Sequence, residues 1–244
     1  MSDCSLNWMD NHRLTIVVGH AGSGKTEFSV NLAVALAQAG KKTCLADLDV
    51  VNPYFRSRER SELFKRFGIG LISSSQECVD ADVPSLPSEL NALLQDQSVF
   101  GVLDIGGDRS GAKVLARYRP QLKGQSCNVL FVVNGNRPLT YTPEAAINCL
   151  REIEDMIGMS VNGIINNTHL CNETMEDDIY WGAYLSEQIS QQTNIPITCH
   201  MVHRLLIRRV KDLHPPVFPI RIFMRKPWEN STVYLGNCET SPRS

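Results

Sequence analysis

A short, largely apolar and mostly β-branched run, Leu14 to Val18, leads straight into Gly19-His20-Ala21-Gly22-Ser23-Gly24-Lys25-Thr26, and this junction leaves the chain little choice of architecture. The run has the composition of a strand buried on both faces. Beyond Thr26, the residues Phe28, Leu32, Ala35, Leu36 and Ala39 recur at helical spacing. A buried strand, a glycine-rich turn and a helix in immediate succession form a βα unit, and such units assemble into parallel sheets.

The eight residues fit G-x-x-x-x-G-K-[ST]. Glycines let successive N–H groups converge where a Cβ would clash. The helix adds its unpaired N–H groups and the positive end of its dipole. Lys25 is placed to neutralise β- and γ-phosphates, and the Thr26 hydroxyl is a hard oxygen ligand for Mg²⁺. Gly19, His20, Ala21, Gly22, Ser23, Gly24, Lys25 and Thr26 are therefore the expected nucleotide-binding residues.

The strand–helix alternation continues along the chain. Further strands are expected at 43–48, 69–72, 99–105, 129–133 and 161–165, with a last one starting at 195. Helices are expected at 57–67, at 89–94, from Pro143 onward, at 174–191 and, as a basic amphipathic segment, at 202–213. The predicted fold is α/β, a doubly wound, mostly parallel sheet with helices on both faces, of the P-loop NTPase type. Residues 1–12 read as a flexible N-terminus, 13–213 as one nucleotide-binding domain and 214–244 as a partly ordered tail.

Ligands of such sheets sit at the carboxyl ends of strands. Polar residues gather there: Asp47 and Asp49, the stretch 104–108, the stretch 134–137 and the stretch 166–169. Asp104 ends an apolar strand, where a carboxylate can hold a Mg²⁺-coordinated water. With Ile105, Gly106 and Gly107 it spells D-x-x-G, whose glycine N–H can sense a γ-phosphate. Asp47 and Asp49 flank Leu48, so period-two alternation puts both carboxylates on one face. Asp49 is expected to orient the attacking water. Asp47 either supports the metal or the loop, or caps the following turn. The expected catalytic set is Lys25, Asp49 and Asp104, and the expected metal set is Thr26, Asp47 and Asp104.

Composition narrows the classes. Twenty-four basic against 26 acidic residues give a formal charge of −2, so no global field favours nucleic acid or acidic membranes. No apolar stretch reaches spanning length, and residues 1–12 lack the hydrophobic core of a signal peptide, which predicts a cytoplasmic protein. The eight cysteines form no C-x-x-C pair and read as reduced thiols.

The stretch from Gly24 to Ala33 and the stretch from Lys41 to Asp49 resemble the MinD/ParA class of P-loop ATPases, which also holds the nitrogenase iron protein, CobB/CobQ-type enzymes and metal-insertion ATPases. The resemblance spans about 14–203. It implies a doubly wound parallel sheet, Mg-ATP as ligand and a nucleotide-dependent homodimer. By that likeness Asp49 matches the water-orienting aspartate, Asp104 the Walker B carboxylate and Asn167 an asparagine near the adenine. One position departs from the class: His20 stands where many members carry a lysine that reaches the partner's nucleotide. A neutral imidazole supplies no permanent charge, which leaves Arg56 or Arg58 as candidate substitutes. The stretch Asn166-Asn167-Thr168-His169 lacks the lysine and acid of the guanine-reading N-K-x-D, which favours ATP over GTP.

Two other features carry less. Cys199, His200 and His203, together with His169 or Cys171, are potential donors for zinc or nickel, but their spacing matches no standard site. Arg204, Arg208, Arg209 and Lys211 would line a basic helix face, yet no helix-turn-helix accompanies them, so nucleic acid is not an expected partner. Prolines interrupt the C-terminal region, which speaks against a membrane helix. The reading is a Mg-ATP-binding protein and slow ATPase, used as a nucleotide-dependent switch with a protein partner or client. The alternatives are an ATP-dependent amidoligase or small-molecule kinase of the CobB type, a metal-insertion ATPase and a non-catalytic nucleotide sensor.

Overall fold

A computed structural model describes residues 8, 12–49, 61–73, 88–107, 109–215 and 217–224. Eight strands form one sheet: β1 (Leu14–Val18), β2 (Thr43–Leu48), β3 (Gly70–Ser73), β4 (Phe100–Ile105), β5 (Cys127–Val133), β6 (Gly163–Asn166), β7 (Ile197–His203) and β8 (Val217–Ile220). Their order is β3-β2-β4-β1-β5-β6-β7-β8, and every neighbouring pair is parallel. Six α-helices, α1 (Lys25–Gln38), α2 (Ser61–Phe67), α3 (Ser88–Gln95), α4 (Arg109–Leu122), α5 (Pro143–Ile157) and α6 (Glu176–Thr193), cover it.

Side-chain alternation explains why the sheet must be covered twice. On β5, Val129, Phe131 and Val133 enter a core shared with α3, α4, α5 and α6, while Leu130 and Val132 enter a second core with α1 and α2. β1 divides likewise, with Leu14, Ile16 and Val18 on the first side and Val17 on the second. A strand buried on both faces has few polar positions to spare, hence a largely apolar spelling, broken by buried Thr15 in β1 and Asn128 in β5. Phe28 of α1 is fully buried and meets Phe218 of β8 edge to face at 6.0 Å. Burying such a ring stabilises the fold by about 2–3 kcal/mol.

β1 lies between β4 and β5, so the chain winds outward from it in both directions. This reversal of strand order opens a crevice at the carboxyl end of β1, where the glycine-rich loop begins.

Three elements differ from the sequence reading. The helix expected at 202–213 is absent: β7 runs on through His203, paired with β8 from His200↔Val217 to His203↔Ile220. Pairing takes the first residues of that apolar period. The remainder forms single turns, with Leu206 N–H bonded to the His203 carbonyl and Arg209 N–H to the Leu206 carbonyl. Leu206, Ile207 and Val210 pack with Ile179 and Val202 instead of forming a helix face. β8 itself lies in the stretch read as tail. Its Pro219 is tolerated because β8 is the edge strand. Helix α4, absent from the sequence reading, fills the gap between β4 and β5 despite Pro120 in its last turn.

Candidate functional site

The loop 19–26 curls over the carboxyl end of β1, with Ser23 N–H bonded to the His20 carbonyl at 3.1 Å. Gly24 caps α1 in the left-handed region, φ 87°. A Cβ there would collide with the Asn167 amide nitrogen, so both conformation and space demand glycine. Lys25 is buried, and its Nζ donates to the His20 carbonyl at 3.1 Å, which holds the ammonium over the loop. His20 Nδ1 lies 2.8 Å from the Ala21 carbonyl. A carbonyl only accepts, so this nitrogen carries the proton and the ring turns back onto its own loop.

Beneath the loop the strand ends bring two carboxylates together. Asp47 of β2 and Asp104 of β4 are register partners, and both are buried. Among the described residues neither carboxylate oxygen of Asp104 has a hydrogen-bond partner. Its pKa is pushed from 3.8 up to about 7, first by burial and then by the neighbouring Asp47 charge; the nearby Thr26 hydroxyl and the Lys25 ammonium pull it back. Two buried acids with an oxygen pair unsatisfied form a poor site for a resting protein and a suitable one for a divalent cation or its water shell. Thr26 of α1, Asp47 of β2 and Asp104 of β4 fit Mg²⁺ as a donor set, all hard oxygens at the carboxyl edge of the sheet. Asp49 follows β2, half-buried, and its N–H bonds Asp47 Oδ1 at 3.2 Å. The turn-capping role weighed for Asp47 is thus present together with its place beside Asp104.

Gly107 closes the crevice from the other side. A Cβ on it would lie 2.7 Å from the Ala21 nitrogen and 2.8 Å from Lys25 Nζ. The D-x-x-G loop and the phosphate loop are therefore in direct contact, with no side chain's width between them. The Gly107→Ala variant must separate the two. Its expected phenotype is a loss of about tenfold in triphosphate affinity with diphosphate affinity kept, checked by titration calorimetry with both nucleotides.

Asn167, expected near the base, commits its amide nitrogen to the Ser23 carbonyl at 2.8 Å and is buried. In this structure it braces the loop. Two further residues of the polar strand ends touch the loop: Arg137, which has no role in the sequence reading, and His169, which that reading offers only as a possible zinc or nickel ligand. Arg137 donates through Nε to the Gly22 carbonyl at 3.0 Å. His169 lies beside Gly24, 3.2 Å from where its Cβ would be. Burial first, and the Arg137 cation second, hold His169 down to about 4, so the ring is neutral at physiological pH. Its Nδ1 accepts from Cys171 N–H at 3.1 Å, so the proton sits on Nε2, which is buried without a partner. The only signal in the sequence was position: both residues follow a buried strand.

Other expectations fall elsewhere. Arg56 and Arg58 lie outside the described residues. Cys199, His200 and His203 lie within β7, where alternation puts Cys199 and His200 on opposite faces of the strand. Buried His200 meets Asn166 at 3.0 Å and the His214 carbonyl at 3.2 Å. Among the described residues no group of three or more His, Cys, Asp or Glu could hold a metal ion, and no helix is long and apolar enough to cross a membrane. Arg209 pairs with Glu176 of α6 at 3.4 Å.

In shape the chain is similar to the cell division protein FtsY of Thermotoga maritima (23% identity over 78% of this chain and 61% of that one, TM-score 0.49). It is also similar to the signal recognition particle receptor FtsY of Elizabethkingia anophelis (20%, 79% and 58%, 0.49) and to the signal recognition particle 54 kDa protein of Aeropyrum pernix, solved in complex with GDP (15%, 72% and 40%, 0.46). The chain thus spans less than two thirds of the length of these structures. Comparison with curated proteins gives no match. The family model for the CobQ/CobB/MinD/ParA nucleotide binding domain matches residues 14–198. With a phosphate loop at the switch point of a parallel sheet and that match over most of its length, the chain belongs to the CobQ/CobB/MinD/ParA nucleotide-binding domain family.

Proposed function

We propose that this protein is a Mg-ATP-dependent conformational switch with slow ATPase activity. The observation that carries the reading is the Asp47–Asp104 pair, with both Asp104 oxygens unsatisfied, facing Lys25 and Thr26 under a loop that Gly107 touches. Lys25 would leave the His20 carbonyl to bind the β- and γ-phosphates, an exchange of one acceptor for stronger, charged ones. Thr26 and Asp104 would hold Mg²⁺ or its water, with Asp47 in support. When bound, Mg²⁺ supplies charge neutralisation on the phosphate oxygens. Asp49 would orient the attacking water.

Gly107 makes the arrangement a switch. Its contact with Ala21 and Lys25 means that a γ-phosphate must be accommodated at that seam, and α4 begins directly beyond it. Movement of this loop on loss of the γ-phosphate would carry the signal. ATP is favoured because the loop after β6 lacks the acid that guanine reading employs. Partners and a nucleotide-dependent dimer belong to the same proposal, as does a cytoplasmic location.

The test is competitive titration of the purified protein with Mg-ATP, Mg-GTP and Mg-ADP. Tighter binding of ATP than GTP, by about tenfold, is expected. Equal or tighter GTP binding would overturn the base assignment, and no binding of either triphosphate would overturn the whole reading.

A further inference from the structure

Next to the phosphate loop the protein exposes aromatic surface that the nucleotide chemistry does not use. Tyr141, in the loop before α5, is 54% exposed and packs on Trp181 of α6 with ring centroids 5.2 Å apart. Trp181 stacks in turn on Tyr184, 53% exposed, at 5.9 Å and an interplanar angle of 29°. Leu139, 58% exposed, extends the face. Tyrosine and tryptophan present large contact area with few rotatable bonds, the character of binding hot spots.

The charges that lie near these rings in the chain are mostly acidic. Between residues 138 and 193 there are nine carboxylates and a single Lys or Arg, Arg151, in a chain whose overall charge is only −2. Exposed acids lie one helical turn from each ring: Glu144 after Tyr141, Asp177 before Trp181 and Glu187 after Tyr184. Of the nearby cations two are bonded elsewhere, while Lys211 lies beside Tyr180, whose hydroxyl its backbone meets. Arg137 is bonded to Gly22, and Arg209 is paired with Glu176 beyond Tyr180.

We infer that this face, formed by the loop 135–141 and the first turns of α6, docks a basic segment of a partner protein anchored by apolar side chains. A nucleic acid would bring phosphates against these carboxylates, and a second copy of the chain would bring the same acids, so both are disfavoured by charge.

The face is also wired to the phosphate loop. Trp181 Nε1 donates to the Gly135 carbonyl at 3.3 Å, and a Cβ on Gly135 would lie 2.8 Å from that nitrogen. On the other side of the same segment, Gly135 N–H bonds the Thr168 hydroxyl at 2.9 Å, and Arg137 holds the Gly22 carbonyl. One short stretch of backbone is thus clamped between the aromatic ladder and the loop. A segment that shifts Trp181 must press on the residues that position Gly22. This coupling, unlike the docking itself, rests on the nucleotide reading above.

The probes are three short synthetic peptides of equal length: alternating Lys/Leu, Lys/Ser and Glu/Leu. Calorimetry on the full chain is expected to show the Lys/Leu peptide binding about tenfold or more tightly than the other two. The double variant Tyr141→Ser/Tyr184→Ser, altered only at exposed positions, is expected to reduce Lys/Leu binding to the Lys/Ser level with an unchanged melting curve. Equal binding of Lys/Leu and Lys/Ser, undiminished binding by the variant, or equal binding of Glu/Leu would overturn the proposal. So would self-association in sedimentation that the variant abolishes, since that assigns the face to a second copy. Saturating Mg-ATP is expected to change the Lys/Leu affinity about threefold or more, with the reciprocal effect on ATP. If ATP binds and the peptide affinity does not move, the coupling fails while the nucleotide reading stands. If no triphosphate binds, the nucleotide reading fails while the peptide series still decides the docking.

Discussion

Replacing Lys25 with alanine is expected to weaken Mg-ATP binding by at least about 100-fold, close to 3 kcal/mol, without loss of the fold. The ammonium is buried against the loop, 3.1 Å from the His20 carbonyl, and water cannot stand in for it. In so enclosed a setting a charge-assisted bond to phosphate counts for more than it would on an open surface. Calorimetry with Mg-ATP, beside far-UV circular dichroism to show that the helices persist, measures the effect. An affinity within a fewfold of wild type would mean that the triphosphate lies elsewhere.

The Asp104→Asn variant should invert the usual consequence of losing a site residue. Without ligand, burial and the Asp47 charge hold Asp104 up to about 7, against 3.8 as the ordinary value. At pH 5 the folded protein keeps a proton that the unfolded chain has released. The folded state therefore binds more protons across the interval between those two values, and stability falls as pH rises through it. Above pH 7 the full cost of the buried charge is present, on the order of 2–4 kcal/mol; below pH 4 it vanishes. The variant lacks this cost. Thermal melts of the two proteins should coincide near pH 4 and diverge upward, with the variant the more stable at pH 8. Added Mg-ATP should then reverse the ranking, because the carboxylate that destabilises the empty protein is the one proposed to hold the metal. Parallel pH profiles for the two proteins would show that Asp104 is not charged in the way its surroundings dictate.

The glycine-rich loop and the double-sided sheet were legible because each rests on local spelling. An eight-residue loop between an apolar strand and an amphipathic helix has one common solution, and β1, β2, β4 and β5 are apolar enough to announce burial on both faces. What escaped depends on contacts distant in sequence. The apolar spacing from Val202 onward fits a helix, yet pairing with a strand fifteen residues later claims Val202 and His203 for β7. β8 is four residues long with a proline among them, below the threshold at which a strand declares itself. Asn167 has the side chain that a base would select, but the Ser23 carbonyl, 144 residues away in the chain, takes its amide. Arg137 and His169 could be assigned to a neighbourhood from the sequence, whereas which atoms face the loop required the assembled strand ends.

The last described residues bear on how the molecule can be dissected. Glu27, one position past the phosphate loop's threonine, accepts N–H bonds from Phe223 at 2.7 Å and Met224 at 3.0 Å, while Asn31 exchanges two 2.9 Å bonds with the Arg221 backbone. The segment 221–224 is stitched to the first turns of the helix that carries Lys25. A polypeptide cut after residue 213 would keep every recognisable motif and lose this seam together with the eighth strand, leaving Phe28 without its aromatic neighbour. Fragment boundaries drawn from motif matches alone would thus cripple the ligand cradle from behind.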